Sequence, residues 1–139
     1  MSNNTTLSSI YTDKAPAVVG PYSQAIEAGE FIFCSGQIGI DPKTNQLVEG
    51  VENQTRLILT ALKNVLLAAG SDLEHVVKTT IYLKDMKSYG LVNEMYGSYF
   101  TNHKPARATV EVSHLPKDAL IEIELIARKN RIWYNIFSL

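Results

Sequence analysis

Two stretches in the C-terminal part of the chain alternate between apolar and polar residues in steps of two, as strands with one buried face do. In Lys104-Pro105-Ala106-Arg107-Ala108-Thr109-Val110-Glu111-Val112, the residues Ala106, Ala108, Val110 and Val112 share one face, leaving Arg107, Thr109 and Glu111 on the other. In Leu120-Ile121-Glu122-Ile123-Glu124-Leu125-Ile126-Ala127, the apolar set is Ile121, Ile123, Leu125 and Ala127, with Glu122 and Glu124 opposite. His114-Leu115-Pro116-Lys117-Asp118-Ala119 between them has turn composition, so the pattern predicts a hairpin. One face of it would gather a guanidinium, a hydroxyl and up to three carboxylates. Such a face needs no active site, and cross-strand Arg–Glu pairs contribute only about 0.2–1 kcal/mol each. It would also suit a small-molecule site, with Arg107 as a two-pronged carboxylate anchor and Glu122 as acid/base partner for a water.

The same patterning predicts the other elements. Leu7 to Tyr11 is a short edge strand, broken by Ala15-Pro16 and Gly20-Pro21. Gly20 to Gly36 is a hairpin turning at Gly29-Glu30. Gly36 ends its second strand, either as a bulge or where a ligand approaches the backbone. Asp41 to Asn45 is a surface turn. Val51 to Ala69 repeats apolar residues at three- and four-residue spacing, an amphipathic helix capped by Gly70. His75 to Leu83, dense in β-branched residues, is a central strand. Asp85 caps a second helix to about Phe100, with Tyr89, Val92, Tyr96 and Tyr99/Phe100 as its inward stripe and Asn93 beside it. Three strands, helix, strand, helix and two strands make an α+β sandwich whose two helices cover one sheet face. Apolar residues such as Val18, Val19 and Phe33 imply that part of the other face is buried too, hence a homo-oligomer with clefts between subunits.

Composition narrows the function. A chain of 139 residues, 45% hydrophobic and 19% charged, makes one soluble domain. A net charge of −1 supplies no field that would draw the chain to nucleic acid or an anionic membrane. The one cysteine, Cys34, excludes an internal disulfide and suits a reducing compartment. It lies among Phe31, Ile32 and Phe33 with no basic neighbour, so it reads as a small core hydrophobe. No apolar run has transmembrane length and the start has no leader pattern, which points to the cytoplasm. His75, His103 and His114 lack ligand spacing, so no metal is expected. Gly36-Gln37-Ile38-Gly39 lacks the lysine of a phosphate loop, so no cofactor is expected.

With these motifs in place, the chain resembles the RidA/YjgF reactive-intermediate deaminase family, also called L-PSP. The resemblance rests on Gly20-Pro21-Tyr22-Ser23-Gln24-Ala25, Ser35-Gly36-Gln37-Ile38, Val77-Lys78-Thr79-Thr80, Val92-Asn93-Glu94-Met95-Tyr96, Pro105-Ala106-Arg107-Ala108, and Leu115-Pro116-Lys117-Asp118 followed by Ile121-Glu122-Ile123-Glu124. These run in family order from about Leu7 to Lys129. The resemblance implies a chorismate-mutase-like α+β fold assembled as a homotrimer with sites between subunits. It also implies hydrolysis of 2-imino acids or their enamines, such as 2-iminopropanoate and 2-iminobutanoate, to 2-keto acids and ammonia, a protection against metabolite damage. By analogy Arg107 binds the substrate carboxylate and Glu122 holds the water, with Glu124 the alternative acid. The Gly36 and Thr109 amides and Ser35 fix the substrate, and Tyr22, Asn93 and Pro116 line the pocket.

The chain departs from that pattern twice. Thr109 stands where some members carry cysteine, which removes thiol chemistry there. The family-like domain is 1–129, and the aromatic tail 130–139 runs past the usual end, to extend the last strand, pack on a neighbour or bind something particular to this protein. Two alternatives accompany the deaminase: an endoribonuclease or translation inhibitor, for which the short basic tail is the only RNA-like feature, and a non-catalytic ligand-binding or chaperone-like trimer.

Overall fold

The computed structural model describes residues 6–130. Strands β1 (Ser8–Ile10), β2 (Ala25–Ala28) and β3 (Phe31–Gln37) come first. A small hairpin follows, β4 (Ile40–Asp41) with β5 (Gln46–Leu47), then helix α1 (Val51–Ala68). Strand β6 (Val76–Leu83), helix α2 (Tyr89–Tyr99), and strands β7 (Ala106–Glu111) and β8 (Ile121–Arg128) complete the order. The expected succession of strands and helices holds, with β4–β5 as an addition around the Asp41–Asn45 turn. Asp85 does cap, but it caps a 3-10 turn over Met86–Ser88 that leads into α2, accepting from the Lys87 amide at 2.9 Å.

The main sheet runs β1-β2-β3-β8-β6-β7. The C-terminal hairpin expected from the sequence is absent. β7 pairs parallel with β6, and β8 enters between β3 and β6, antiparallel to both. The reason lies in burial. Ile121, Ile123, Leu125 and Ala127 are at most 2% exposed, and only a central strand, backed by helices and flanked on both sides, buries so long an apolar face. The α2 crossover then delivers β7 parallel to β6 at the edge.

The core lies between the sheet and the two helices, built from Ile58, Leu62, Leu66, Val92 and Tyr96 against Ile32, Cys34, Ile81, Leu83 and Ile123. The opposite face has no layer over it among the described residues. It presents Phe31 and Phe33, 42% and 45% exposed, with Val110 at 43%. Two helices thus cover one face, as expected. No described helix is long and apolar enough to cross a membrane. Of the tail, residues 131–139 lie outside the described residues.

The faces of β7 are the reverse of the expectation. Ala106, Ala108 and Val110 point to the uncovered side and are exposed, whereas Arg107 and Thr109 turn toward the helices. The register settles this, since Arg107 stands opposite Thr79 and Thr109 opposite Ile81, both buried under the helices. Glu122 and Glu124 stand opposite Tyr82 and Thr80 on the uncovered side. Arg107 and Glu122 therefore lie on opposite faces of one sheet, two strands apart, with β6 between them.

Candidate functional site

The expected site residues fall into two groups. The first surrounds Gly36, where the β3–β8 register shifts between Cys34 and Gln37, a bulge at the end of the strand. A side chain on Gly36 would fill the place of Glu122: its Cβ would lie 2.8 Å from the Glu122 Cδ, with Oε2 closer still. The glycine thus marks the expected bulge, and the close approach that it admits is that of the chain's own Glu122 carboxylate. Glu122 is half-buried and has no hydrogen-bond partner among the described residues. Burial, and secondly the charge of Glu124, push its carboxyl above the usual range. Glu124 is engaged, accepting from the Tyr82 hydroxyl at 2.6 Å.

Beside Gly36 opens a cavity of about 210 Å³, lined by Tyr22, Pro116, Lys117, Val18 and Ile38 among others. Lys117 and Asp118 both adopt left-handed backbone, with φ of 56° and 57°. Two consecutive non-glycine residues in that region store strain next to the cavity. The Ser35 hydroxyl donates to the Ser23 carbonyl at 2.6 Å, which ties β3 to the Gly20–Gln24 loop and leaves the oxygen able to accept. Gln54, buried on α1, donates to the Val48 carbonyl at 3.0 Å and accepts from the Leu120 amide at 2.9 Å. It thereby holds the entry to β8, two residues before Glu122.

The second group lies under α2. Arg107 donates from Nη2 to the Tyr89 hydroxyl at 3.0 Å, and its guanidinium carbon stands 4.9 Å from the Tyr96 ring centre and 5.7 Å from that of Tyr89. A cation over aromatic faces is stabilised by about 0.5–2 kcal/mol, and the stacking fixes the plane of the fork. Tyr96 is in turn bound to Thr79 at 2.8 Å in the core. A cleft of about 510 Å³ opens here between Arg107, Asn93, Lys104 and Phe100. Thr109, two positions along β7, has a buried hydroxyl with no partner among the described residues. Most of the Arg107 donors stay available for a carboxylate.

The chain accordingly brings Tyr22, Ser35, Gly36, Pro116 and Glu122 together, and separately Asn93, Arg107 and Thr109. It does not bring the two groups to each other. Sequence reasoning placed Tyr89 and Tyr96 in the core stripe and overlooked their role as the platform for Arg107. The signal was present in two tyrosines seven apart on a helix, one a turn outside the buried stripe. Gln54 was missed as well, although it is a polar residue three positions beyond Val51 on the apolar side. Among the described residues no group of three or more His, Cys, Asp or Glu side chains is placed to hold a metal ion.

Comparison with known proteins points one way. The family model described as Endoribonuclease L-PSP matches residues 12–129, which contain both groups of residues. A RutC family protein of Pyrococcus horikoshii is 56% identical over 121 residues, 86% of this chain and 96% of that protein. A mouse protein named 2-iminobutanoate/2-iminopropanoate deaminase is 49% identical, over 85% of this chain and 88% of its own length. Among solved structures, a protein of the conserved Rid family from Yersinia pestis is 48% identical, with a TM-score of 0.87, covering 88% of this chain and 99% of that one. Model, relatives and solved fold register on the same stretch, and by that agreement the chain belongs to the L-PSP (Rid) family.

Proposed function

We propose that this protein hydrolyses reactive 2-imino acids and their enamine tautomers, 2-iminobutanoate and 2-iminopropanoate among them, to 2-keto acids and ammonia. The observation that carries the reading is Glu122. Its carboxyl is half-buried, free of hydrogen-bond partners among the described residues, raised above its ordinary range, and set against a glycine beside a cavity. A base needs these properties to take a proton from water near neutral pH. The mouse relative's name supports the same chemistry.

Arg107 and Glu122 face opposite ways, so we further propose that one subunit's Arg107 serves a neighbour's Glu122 in a homotrimer. The uncovered sheet face with Phe31 and Phe33 supports such an assembly, because exposed apolar patches of this kind mark contact surfaces. In the reaction, Arg107 pairs with the substrate carboxylate and orients C2. Water adds to C2 of the protonated imine while Glu122 takes one of its protons, and the C=N electron pair moves to nitrogen, giving a neutral carbinolamine. Glu122 then returns the proton to the amine. The C–N bond breaks, the carbonyl forms, and the hydroxyl proton leaves with the ammonia as ammonium.

The test is keto-acid release from 2-iminobutanoate generated freshly from threonine by a dehydratase, with wild type beside Arg107→Ala. Wild type accelerates release, and the variant loses about a hundredfold or more while keeping its size in solution. Unchanged turnover in the variant removes the carboxylate anchor. Failure of the wild type removes the deaminase and leaves RNA cleavage, after which the family is described, to be assayed.

A further inference from the structure

Glu122 and Glu124 sit two residues apart on one face of β8, yet their surroundings differ. Tyr82 lies directly opposite Glu122 across the β6–β8 pairing, but its hydroxyl reaches diagonally and donates to Glu124 Oε1 at 2.6 Å. Glu124 is therefore the carboxylate with a fixed donor, and Glu122, pressed toward Gly36, is the one without. Two neighbouring carboxylates resist being charged together, and a hydrogen bond to one of them decides which stays ionised.

We propose that Tyr82 and Glu124 are positioning residues for Glu122: the tyrosine engages Glu124 in a fixed hydrogen bond, so that Glu122 alone is left free to exchange a proton with water. This rests on the deaminase reading of the site. Two further observations agree with it. The Tyr82 phenol, bonded to Glu124, is pushed up to about 12, so it remains a donor throughout the working range. Burial and, secondly, the charge of Glu124 raise the Glu122 carboxyl, which suits it to take up a proton.

The other groups around the pair are few. On the same face, Lys78 projects from β6 and Arg128 from the far end of β8. Lys117 lines the cavity beside Gly36. β3 offers Phe33, Ser35 and Gly36, and β7 offers Ala108 and Val110, none of them charged. In the proposed assembly a neighbour's Arg107 also faces Glu122 and favours its ionised form. That cation acts equally on wild type and on variants at Tyr82 and Glu124, so it cancels from the comparison.

The experiment measures two things on wild type, Tyr82→Phe and Glu124→Gln: the pH profile of kcat/KM on 2-iminobutanoate, and the titration of side-chain carboxyl carbons by NMR in 13C-labelled protein. In Glu124→Gln the Glu122 titration and the acid limb of the profile both move to lower pH, because a like charge has gone. The plateau falls about three- to tenfold as the base weakens, with KM unchanged. In Tyr82→Phe, Glu124 loses its donor, the Glu122 titration departs from that of wild type, and kcat again falls about three- to tenfold. Profiles and titrations that superimpose on wild type overturn the proposal. If the wild type does not hydrolyse imines, the NMR titration still decides it: a downward shift of Glu122 in Glu124→Gln upholds the pair, and no shift overturns it.

Discussion

Replacing Gly36 by alanine is the most direct probe of the carboxylate site. The new Cβ would stand 2.8 Å from the Glu122 Cδ, and nearer still to its Oε2. Carbon atoms rest about 3.5–4.0 Å apart, so the carboxylate has to retreat by about 1 Å. It can do so, because it is the end of a flexible side chain on a half-open face. The Gly36 backbone is not among the left-handed glycines, so alanine fits its main chain. Fewer unfolded conformations even favour the variant by about 0.4–1 kcal/mol. A displacement of about 1 Å at a reacting group costs about a hundredfold in rate, or about 2.7 kcal/mol of barrier. Gly36→Ala should therefore lower kcat/KM on 2-iminobutanoate about a hundredfold while its Tm stays level or rises. Gly39→Ala is the control. Its Cβ would meet the Gln54 Cα at 2.6 Å, and the backbone of α1 cannot step aside. There the loss is stability, about 1–3 kcal/mol, read as a lower Tm. Activity of Gly36→Ala within about threefold of wild type would refute the placement of Glu122 against that glycine in the working protein.

Two further predictions concern the sheet and the core. Phe33→Glu puts a charge on the uncovered face, at a side chain whose burial between subunits would contribute about 1.5–3 kcal/mol. The variant should run as a monomer in size-exclusion chromatography with light scattering, keep its far-UV dichroism and lose imine hydrolysis. An elution identical to wild type would remove this face from the assembly. Burial pushes the Cys34 thiol up to about 12, so at about pH 8.5 it carries roughly a thousandth of the thiolate of an ordinary cysteine. Iodoacetamide should leave it unmodified in the native protein and label it on unfolding, followed by mass spectrometry. Rapid native labelling would contradict its burial.

Much of the fold was legible because local patterning is strong where burial is one-sided. The stripe Ile58, Leu62, Val65 and Leu66 identified α1, and β-branched density identified β6. The alternation of Ile121, Ile123 and Leu125 against Glu122 and Glu124 gave the two faces of β8 correctly, since an entire buried face cannot be turned outward without exposing it. The motif resemblance named as one site the residues that the chain holds in two separate groups, around Gly36 and under α2.

Pairing and facing were not local properties. Alternation says that two sets of side chains lie on opposite sides of a strand, and nothing about which side meets the helices. In β7 the small Ala106 and Ala108 went outward and Arg107 inward, because Tyr89 and Tyr96 supply a surface on which a guanidinium can stack. A six-residue strand gains little by burying its two alanines. Likewise, nearness in sequence suggested a β7–β8 hairpin, but β8 had the longer apolar face and took the central position. By itself the sequence determined the residue types, most of the element types and the family to which the chain belongs. The tertiary structure decided that Arg107 and Glu122 look in opposite directions, because strand order follows from total burial across the sheet rather than from the spacing along the chain.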